Sequence, residues 1–138
     1  MNNAVFLLTL LPVLAASIAN IIVGYVWYHP RVFGGIWMRL TNVTPEIVER
    51  GNKRARLSML MVFVAAIFAA YALNTFRLAF GVADIVGAVE FAILAWLGFV
   101  APAMLGSYVW EHKPFALYCI NAGYWLASFV LMTLILLL

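Results

Sequence analysis

Charged residues are scarce in this sequence, and cysteine is nearly absent. Only 9% of the 138 residues are Asp, Glu, Lys or Arg, whereas 67% are hydrophobic, and the mean hydropathy is +1.07. A soluble domain of this length cannot bury so much apolar surface, so the composition indicates a membrane protein. The single cysteine, Cys119, excludes an intrachain disulfide bond. Several enzyme motifs are also missing, since the sequence has no phosphate-binding glycine loop, nucleophile elbow or HExxH pair.

Long apolar runs, in contrast, fill most of the chain. A helix needs about 20 mostly apolar residues to cross the hydrocarbon core of a bilayer. Four runs are long enough, and they cover roughly residues 4–28, 57–80, 85–110 and 115–138. Because these runs leave few residues for anything else, we expect an all-α integral membrane bundle of four transmembrane helices that forms a single domain, residues 1–138.

The basic residues are clustered along the chain. Six of the eight lie between Arg31 and Arg56, and a seventh, Lys113, follows the third apolar run. Cytoplasmic loops carry the excess of Lys and Arg, so this positive-inside bias predicts that loops 29–56 and 111–114 are cytoplasmic and that both termini are outside. We expect the bacterial inner (cytoplasmic) membrane as the location. The basic residues then contact lipid head groups, and no nucleic-acid partner is expected.

Turn residues agree with these helix boundaries. The His29-Pro30 pair predicts the end of the first helix, because the residue before a proline is disfavoured in the helical region. Thr44, which precedes a proline, predicts the start of a short helix, and Asp84 is placed to cap the third span. Between them, Arg31–Leu40 carries its apolar residues on one helical face, which is typical of a helix lying in the membrane interface. A mobile flap hinged at Gly34-Gly35 is the alternative.

Several blocks of the sequence resemble those of a known family. Gly24–Pro30, followed by Phe33-Gly34 and Trp37-Met38, is similar to the first-span signature of a bacterial family catalogued as domain of unknown function 1761. Gly98–Pro102 and Ile120–Leu126 are similar to later blocks of that family. The resemblance covers nearly the whole chain and implies a small four-helix integral membrane protein. It supplies no activity and no catalytic residues.

One group of polar residues lies near the predicted outer ends of the second and third spans. Polar side chains within a membrane are costly unless they face the bundle interior or water, so they are candidates for function. Arg77 and Asn74 share one helical face, and Glu90 lies about one and a half turns into the third span. We expect an ion pair between Arg77 and Glu90, with Asn74 beside it. This pair could fix the registry of two helices, or Glu90 could be the proton- or cation-binding carboxylate of a transporter.

A second polar group is predicted nearer the cytoplasmic face. Asn20 and Asn121 should both lie about 10–12 Å below that face, where a hydrogen bond between the two amides would join the first and fourth spans. Tyr124 shares a face with Asn121, and Pro102 frees a backbone carbonyl in the third span. These four residues form the hypothetical ligand-binding site, because transporters place binding sites at kinked, polar-lined half-spans.

Potential metal ligands are few. His29, Glu111, His112 and Cys119 all fall at or near the predicted cytoplasmic ends of their helices. No two of them share a helix at the spacing that would strengthen a metal site. His29 and His112 are therefore weak candidates only, and neither a metal nor another cofactor is expected.

Taken as a whole, the sequence favours a binding or assembly role. We expect a protein of uncharacterised activity that binds a lipid or other hydrophobic ligand, or that supports the assembly of a partner. A small proton- or cation-coupled transporter or channel that uses Glu90 is the alternative, and a lipid-metabolic membrane enzyme is a lesser one, so enzymatic activity is open but not favoured. Stripes of small residues on several helices predict a homo-oligomer, with membrane lipids as the other partners.

Overall fold

The computed structural model describes residues 3–138, with side chains described except at 3–8 and 52–53. Within this part, the backbone forms helices and turns and contains no strand. Four helical segments are long and apolar enough to cross a membrane, namely Thr9–Trp27, Arg54–Ala79, Ile85–Val109 and Phe115–Ile135. The predicted all-α bundle with four membrane-spanning helices is thus confirmed. Residues 1–2, at the predicted outer end of the first span, lie outside the described part.

Each span has a different internal construction. The first span is one helix, the second span is one helix, the third is broken into three pieces by irregular turns, and the fourth is one helix. In chain order the helical elements are α1 (Asn3–Trp27), a π-helical turn (Pro30–Gly34), α2 (Gly35–Thr41), α3 (Pro45–Arg50), α4 (Asn52–Ala79), α5 (Ile85–Ala95), a second π-helical turn (Trp96–Val100), α6 (Ala101–Met104), α7 (Gly106–Val109) and α8 (Phe115–Ile135).

The predicted caps are present at the helix ends. The backbone N–H of Ile47 donates to Thr44 Oγ1 at 3.4 Å, and α3 begins at the following proline. The N–H of Gly87 donates to Asp84 Oδ1 at 3.0 Å, which caps α5. The first span ends at Trp27, just before the His29-Pro30 pair. These side chains satisfy backbone donors that a helix start otherwise leaves unpaired.

The segment after the first span folds back onto the end of α1. The ring centroids of Trp27 and Phe33 are 4.5 Å apart, and those of Tyr28 and Trp37 are 5.9 Å apart. A side chain on the buried Gly34 would collide with the backbone carbonyl of Tyr28. The close packing of this segment against α1 therefore requires glycine at position 34. The presence of this glycine is explained by packing, and no hinge is needed to explain it. The expected interfacial segment is a π-helical turn followed by the short helix α2.

Helix α8 is the centre of the bundle. It packs against α1 on one side and against α5 on the other, while α4 packs mainly against α1 and to a lesser extent against α8. The core is formed where α1, α4 and α8 meet, by Val13, Ala16, Ala70, Leu73, Met132 and Leu136. Although only a short turn joins α4 to α5, these two helices do not pack along their lengths. We call the end of the bundle that carries loops 29–56 and 111–114 the basic end.

Candidate functional site

An apolar cleft of about 660 Å³ lies between α4 and α5. Helix α8 also contributes to it through Phe129. The small side chains of Ala69 and Ala72 on α4 and Ala95 on α5 leave this space open between the two helices. Because the turn that joins α4 to α5 lies at the opposite end from the basic loops, the cleft belongs to that half of the bundle. We refer to it below as the α4–α5 cleft.

Among the side chains that the structure describes, Glu90 is the one polar member of the α4–α5 cleft lining. It lies on α5, and its side chain is exposed. The expected ion pair between Arg77 and Glu90 is not formed, so this prediction is wrong. The physical reason is that α5 packs against α8 and not against α4, which leaves the carboxylate facing the cleft.

Arg77 instead closes the turn between α4 and α5. One guanidinium nitrogen donates to Asn74 Oδ1 at 2.9 Å, and the other donates to the carbonyl oxygen of Val82 at 3.2 Å. The structure thus places Asn74 beside Arg77, as expected. Arg77 lies in the last turn of α4, where the helix dipole favours a cation. Both terminal nitrogens bond within its own helix and turn, which indicates a structural role, while its Nε is buried without a partner.

The second polar group forms a layer between α1 and α8, made of Asn20, Tyr28, Asn121 and Tyr124. Tyr124 Oη donates to Asn20 Oδ1 at 3.0 Å, and Tyr28 Oη donates to Asn121 Oδ1 at 2.8 Å. The rings of the two tyrosines are 5.5 Å apart. Sequence reasoning placed Asn20 and Asn121 at one level of the bundle and Tyr124 on the same face as Asn121, but it did not include Tyr28. The hydrogen bond expected between the two asparagines is wrong. Each amide is paired with a tyrosine instead.

Glycine explains how a tyrosine reaches Asn20. A Cβ on Gly24 would lie 3.4 Å from the ring of Tyr124, so the ring packs directly on the backbone of α1. Its hydroxyl then reaches Asn20, which lies one turn earlier on the same helix. The amide nitrogen of Asn20 is buried without a hydrogen-bond partner. Because a tyrosine side chain reaches from one helix to the amide on the other, Asn20 and Asn121 are joined to the opposite helix without a direct bond between them.

Burial also changes the pKa of Tyr28, the first residue after the first membrane-spanning segment. Tyr28 follows Trp27, the last residue of the first membrane-spanning segment. Desolvation by burial, together with the nearby Tyr124, raises the pKa of Tyr28 from 10.0 to about 12. The hydroxyl is therefore harder to deprotonate than that of a solvent-exposed tyrosine, and it donates its proton to Asn121.

Two tryptophans, one on the first span and one on the third span, donate hydrogen bonds to backbone carbonyls of α8. Neither tryptophan was predicted as a site residue from the sequence. The indole of Trp27 donates to the carbonyl of Ile120 at 3.0 Å, and the indole of Trp96 donates to the carbonyl of Ala122 at 2.7 Å. A Cβ on Gly123 would lie 3.1 Å from the Trp27 ring. The signal that could have identified Trp27 is that the blocks Gly24–Pro30 and Ile120–Leu126 each combine glycine with aromatic residues, whereas Trp96 lies in neither block.

Comparison with known proteins assigns a family. Residues 11–137 match the family model DUF1761, described as a protein of unknown function. The chain belongs to the DUF1761 family. No curated protein and no solved structure matches the chain.

The sequence blocks that carried the DUF1761 resemblance meet in the structure. Gly24–Pro30 supplies Trp27 and Tyr28, which bond to the Ile120–Leu126 block of the fourth span. The interface between the first and fourth spans in this DUF1761 chain is therefore built from both blocks. The hydrogen bonds of Trp27, Tyr28 and Tyr124 across this interface indicate a structural contribution, although the amide nitrogen of Asn20 has no partner there.

Pro102, from a further DUF1761 block, does not belong to the polar layer. Its side chain is exposed and lines neither the α4–α5 cleft nor the second cavity described below. A π-helical turn precedes the proline, and the N–H of Ala101 donates to the carbonyl of Trp96. Tyr118 Oη donates to the Ala101 carbonyl at 3.0 Å. The structure therefore does not bring the proline together with Asn20, Asn121 and Tyr124.

A second cavity, of about 690 Å³, lies at the basic end between α2, α6, α7 and α8. Its polar lining includes Thr41, Ser107 and Asn121, together with an ion pair between Lys113 and Glu111. Of the hypothetical ligand-binding residues, only Asn121 lines it. Among the residues whose side chains are described, Lys113 is the one cation of this lining, and it is paired with the neighbouring Glu111.

Metal ligands do not converge in the described part of this DUF1761 chain. Among the residues searched there, no three His, Cys, Asp or Glu side chains form a group that could hold a metal ion. His29 Nδ1 accepts a hydrogen bond of 3.2 Å from the N–H of Arg31, which gives this histidine a capping role. His112 is exposed in a loop with a left-handed backbone conformation, at φ 54°.

Proposed function

We propose that this protein binds a hydrophobic ligand, such as the hydrocarbon chain of a lipid, in the α4–α5 cleft. The observation that carries the proposal is the cleft itself, at about 660 Å³ with an apolar lining interrupted only by Glu90. Ligand sites of proteins are cavities of about 300–1,000 Å³ with mostly apolar walls and few polar groups. The size and the lining of this cleft both fit that description.

The packing of the helices supports the same proposal. A gap between adjacent transmembrane helices loses van der Waals contacts unless something fills it. Here α4 and α5 remain apart along their lengths, and aromatic side chains such as Phe80 and Phe99 are 73% and 78% exposed. A hydrocarbon chain between the helices would restore those contacts. A helix from a second copy of the chain is the competing occupant, consistent with the proposed homo-oligomer.

The orientation of the chain in the membrane is also part of the proposal. We place the chain in the bacterial inner membrane with the basic end in the cytoplasm, because seven basic residues lie in loops 29–56 and 111–114. In that orientation the α4–α5 cleft lies in the outer half of the bilayer.

Photolabelling tests the proposed binding. The protein is reconstituted into lipid nanodiscs with a lipid that carries a diazirine on its acyl chain, irradiated and mapped by peptide mass spectrometry. We expect adducts at Phe76 and Leu94, in the cleft, to exceed those at Phe68, which is 69% exposed on α4 outside it. The variant Ala72→Trp, which fills the cleft, should abolish that excess.

A matched variant controls for the added tryptophan. Ala65 is exposed on α4, does not line the cleft, and lies seven residues before Ala72, so the two share nearly the same face. Ala65→Trp should keep the wild-type labelling ratio. Equal labelling of cleft and outer residues in the wild type, with no change in Ala72→Trp, would show that the cleft holds no hydrophobic ligand.

Cation- or proton-coupled transport is the second candidate function, because Glu90 faces a cavity and is not paired with Arg77. Proteoliposomes loaded with a pH-sensitive dye provide the test. A proton flux in the wild type that is lost in Glu90→Gln would favour transport, while an equal rate in both proteins and in empty liposomes would count against it.

A further inference from the structure

The α4–α5 cleft combines one carboxylate with several aromatic rings. The rings are those of Phe76, Phe80, Phe91, Phe99 and Phe129. The ring centroids of Phe80 and Phe91 are 6.4 Å apart with the planes tilted by 46°, so the two rings present differently oriented faces. Aromatic faces attract cations through their negative quadrupole, and quaternary ammonium groups are bound by cages of aromatic rings.

No basic side chain lines this cleft. Among the described residues, Glu90 forms no ion pair, and the guanidinium group of Arg77 is bonded to Asn74 and Val82. A carboxylate at membrane depth is stabilised by a partner charge or by water. An anionic head group in the cleft would be repelled by the Glu90 carboxylate, because no described cation lies there to compensate the two negative charges. The charge balance of the site therefore favours a cation.

The depth of Glu90 indicates how such a ligand would lie. Glu90 is five residues into α5, about 8 Å along the helix axis from its start. The lining continues from Glu90 through Leu94 to Phe99, which is about 14 Å deeper along the same span. The polar group is thus at the shallow end of the cleft, and the apolar wall extends toward the middle of the bilayer. This is the arrangement that an amphiphile requires.

We infer that the ligand is an amphiphile with one hydrocarbon chain in the α4–α5 cleft and an ammonium head group at Glu90. This inference rests on the proposed function, since the cleft must first take a hydrophobic ligand. The carboxylate contacts the ammonium group directly, and the rings of Phe80 and Phe91, at the shallow end of the cleft, contact the carbons attached to the nitrogen. The hydrocarbon chain follows α5 toward Phe99.

Competition against the photoreactive lipid tests this inference. Three competitors share one alkyl chain and differ in the head group, which is trimethylammonium, hydroxyl or sulfonate. The quaternary ammonium keeps its charge at every pH, so a change in the protonation of the head group cannot affect the competition. A tenfold preference in affinity corresponds to about 1.4 kcal/mol, which is close to the smallest coupling measured for close charge pairs at a protein interface. We therefore expect the ammonium compound to displace the label from Phe76 and Leu94 at about tenfold lower concentration than the alcohol.

Variants of the carboxylate separate its role from membrane partitioning. Glu90→Gln should reduce the ratio between ammonium and alcohol to near one, and Glu90→Asp should retain part of it. Glu49→Gln removes an exposed carboxylate of α3, outside the cleft, and should keep the wild-type ratio. Because Glu90 is exposed and unpaired in the described structure, the substitutions should leave the thermal unfolding of the protein unchanged.

The outcomes distinguish the inference from the proposed function. If all three competitors displace the label equally well, the cleft binds hydrocarbon and the ammonium inference is wrong. An ammonium preference that persists unchanged in Glu90→Gln would also overturn it, because the carboxylate would then contribute nothing. If the label never concentrates in the cleft, the proposed function itself fails, and the inference fails with it.

Discussion

The hydroxyl of Tyr124 donates a hydrogen bond of 3.0 Å to Oδ1 of Asn20 and joins the fourth span to the first. Both residues are buried, at 8% and 1% exposure. In a membrane, apolar side chains gain little by leaving lipid, so helices are joined by close packing and by hydrogen bonds of this kind. The pair therefore contributes to the registry of α1 against α8, which is the interface that the bundle is built around.

A double-mutant cycle measures this bond. Tyr124→Phe should destabilise the protein by about 1–2 kcal/mol, because it leaves the buried amide of Asn20 without its donor. The double variant with Asn20→Leu should cost less than the sum of the two single variants, since both polar partners are then gone. Denaturant titration of the protein in mixed micelles gives the free energies of unfolding.

Tyr25→Phe serves as the control for the loss of a hydroxyl. Tyr25 is 78% exposed, and its substitution should change the unfolding free energy by less than about 0.5 kcal/mol. Strict additivity of Tyr124→Phe and Asn20→Leu would mean that the two side chains do not interact.

Gly34 provides a steric prediction. A methyl group there would collide with the backbone carbonyl of Tyr28, so Gly34→Ala should destabilise the protein by about 1–3 kcal/mol or more. Gly98→Ala is the matched substitution, because a Cβ at Gly98 meets nothing within 4 Å. Thermal unfolding should show a lower midpoint for Gly34→Ala and little change for Gly98→Ala. Similar midpoints for the two variants would contradict the packing described for the segment after α1.

Tyr28 predicts a dependence on alkaline pH. Its pKa is raised from 10.0 to about 12 by burial, so the folded state holds the proton more tightly than the unfolded state. The stability that comes from this group is fully present below pH 10 and is lost as pH rises toward 12. The ultraviolet difference between wild type and Tyr28→Phe reports the ionisation of this one residue. It should titrate near 12 in the folded protein and near 10 in denaturant; equal midpoints would refute the effect of burial.

Features that depend on neighbouring residues could be predicted from the sequence. The spans follow from the lengths of the apolar runs, and Thr44 and Asp84 cap their helices because the cap and its donors are three residues apart. Asn74 lies beside Arg77 for the same reason, since residues three apart share a helical face. Local spacing is sufficient for each of these.

Contacts between helices were harder to predict. Glu90 and Arg77 lie at comparable depths, but depth does not fix how α5 rotates or which helix it packs against. Because α5 packs on α8, Glu90 faces a cleft, and Arg77 donates instead to Asn74 and to the carbonyl of Val82. The cleft itself has no signature in the sequence, since it depends on the separation of two helices joined by a short turn.

The polar layer shows the same limit on a smaller scale. Asn20 and Asn121 were correctly predicted to lie at one level, because counting residues along a helix gives depth. The partner of each amide depended instead on side-chain reach. Tyr28 has the pattern of an interfacial aromatic residue, yet its hydroxyl points to Asn121. A prediction that pairs asparagine only with asparagine does not identify a hydrogen bond from a tyrosine hydroxyl to an amide.

The proposed orientation gives a topological prediction. A reporter that is active only in the cytoplasm should be inactive when fused after Leu138 and active when inserted after Val43, in the loop between α2 and α3. A reporter that is active only outside should give the reverse pattern. Cytoplasmic activity at Leu138 would invert the assignment and would place the α4–α5 cleft in the inner half of the bilayer.

The most direct measurement of the central claim is an experimental structure of the protein in native lipid discs, prepared without added amphiphile. We predict elongated density between α4 and α5 that begins beside Glu90 and runs toward Phe99. Direct packing of α4 against α5, or a helix from a second copy of the chain in that space, would contradict a ligand-binding cleft.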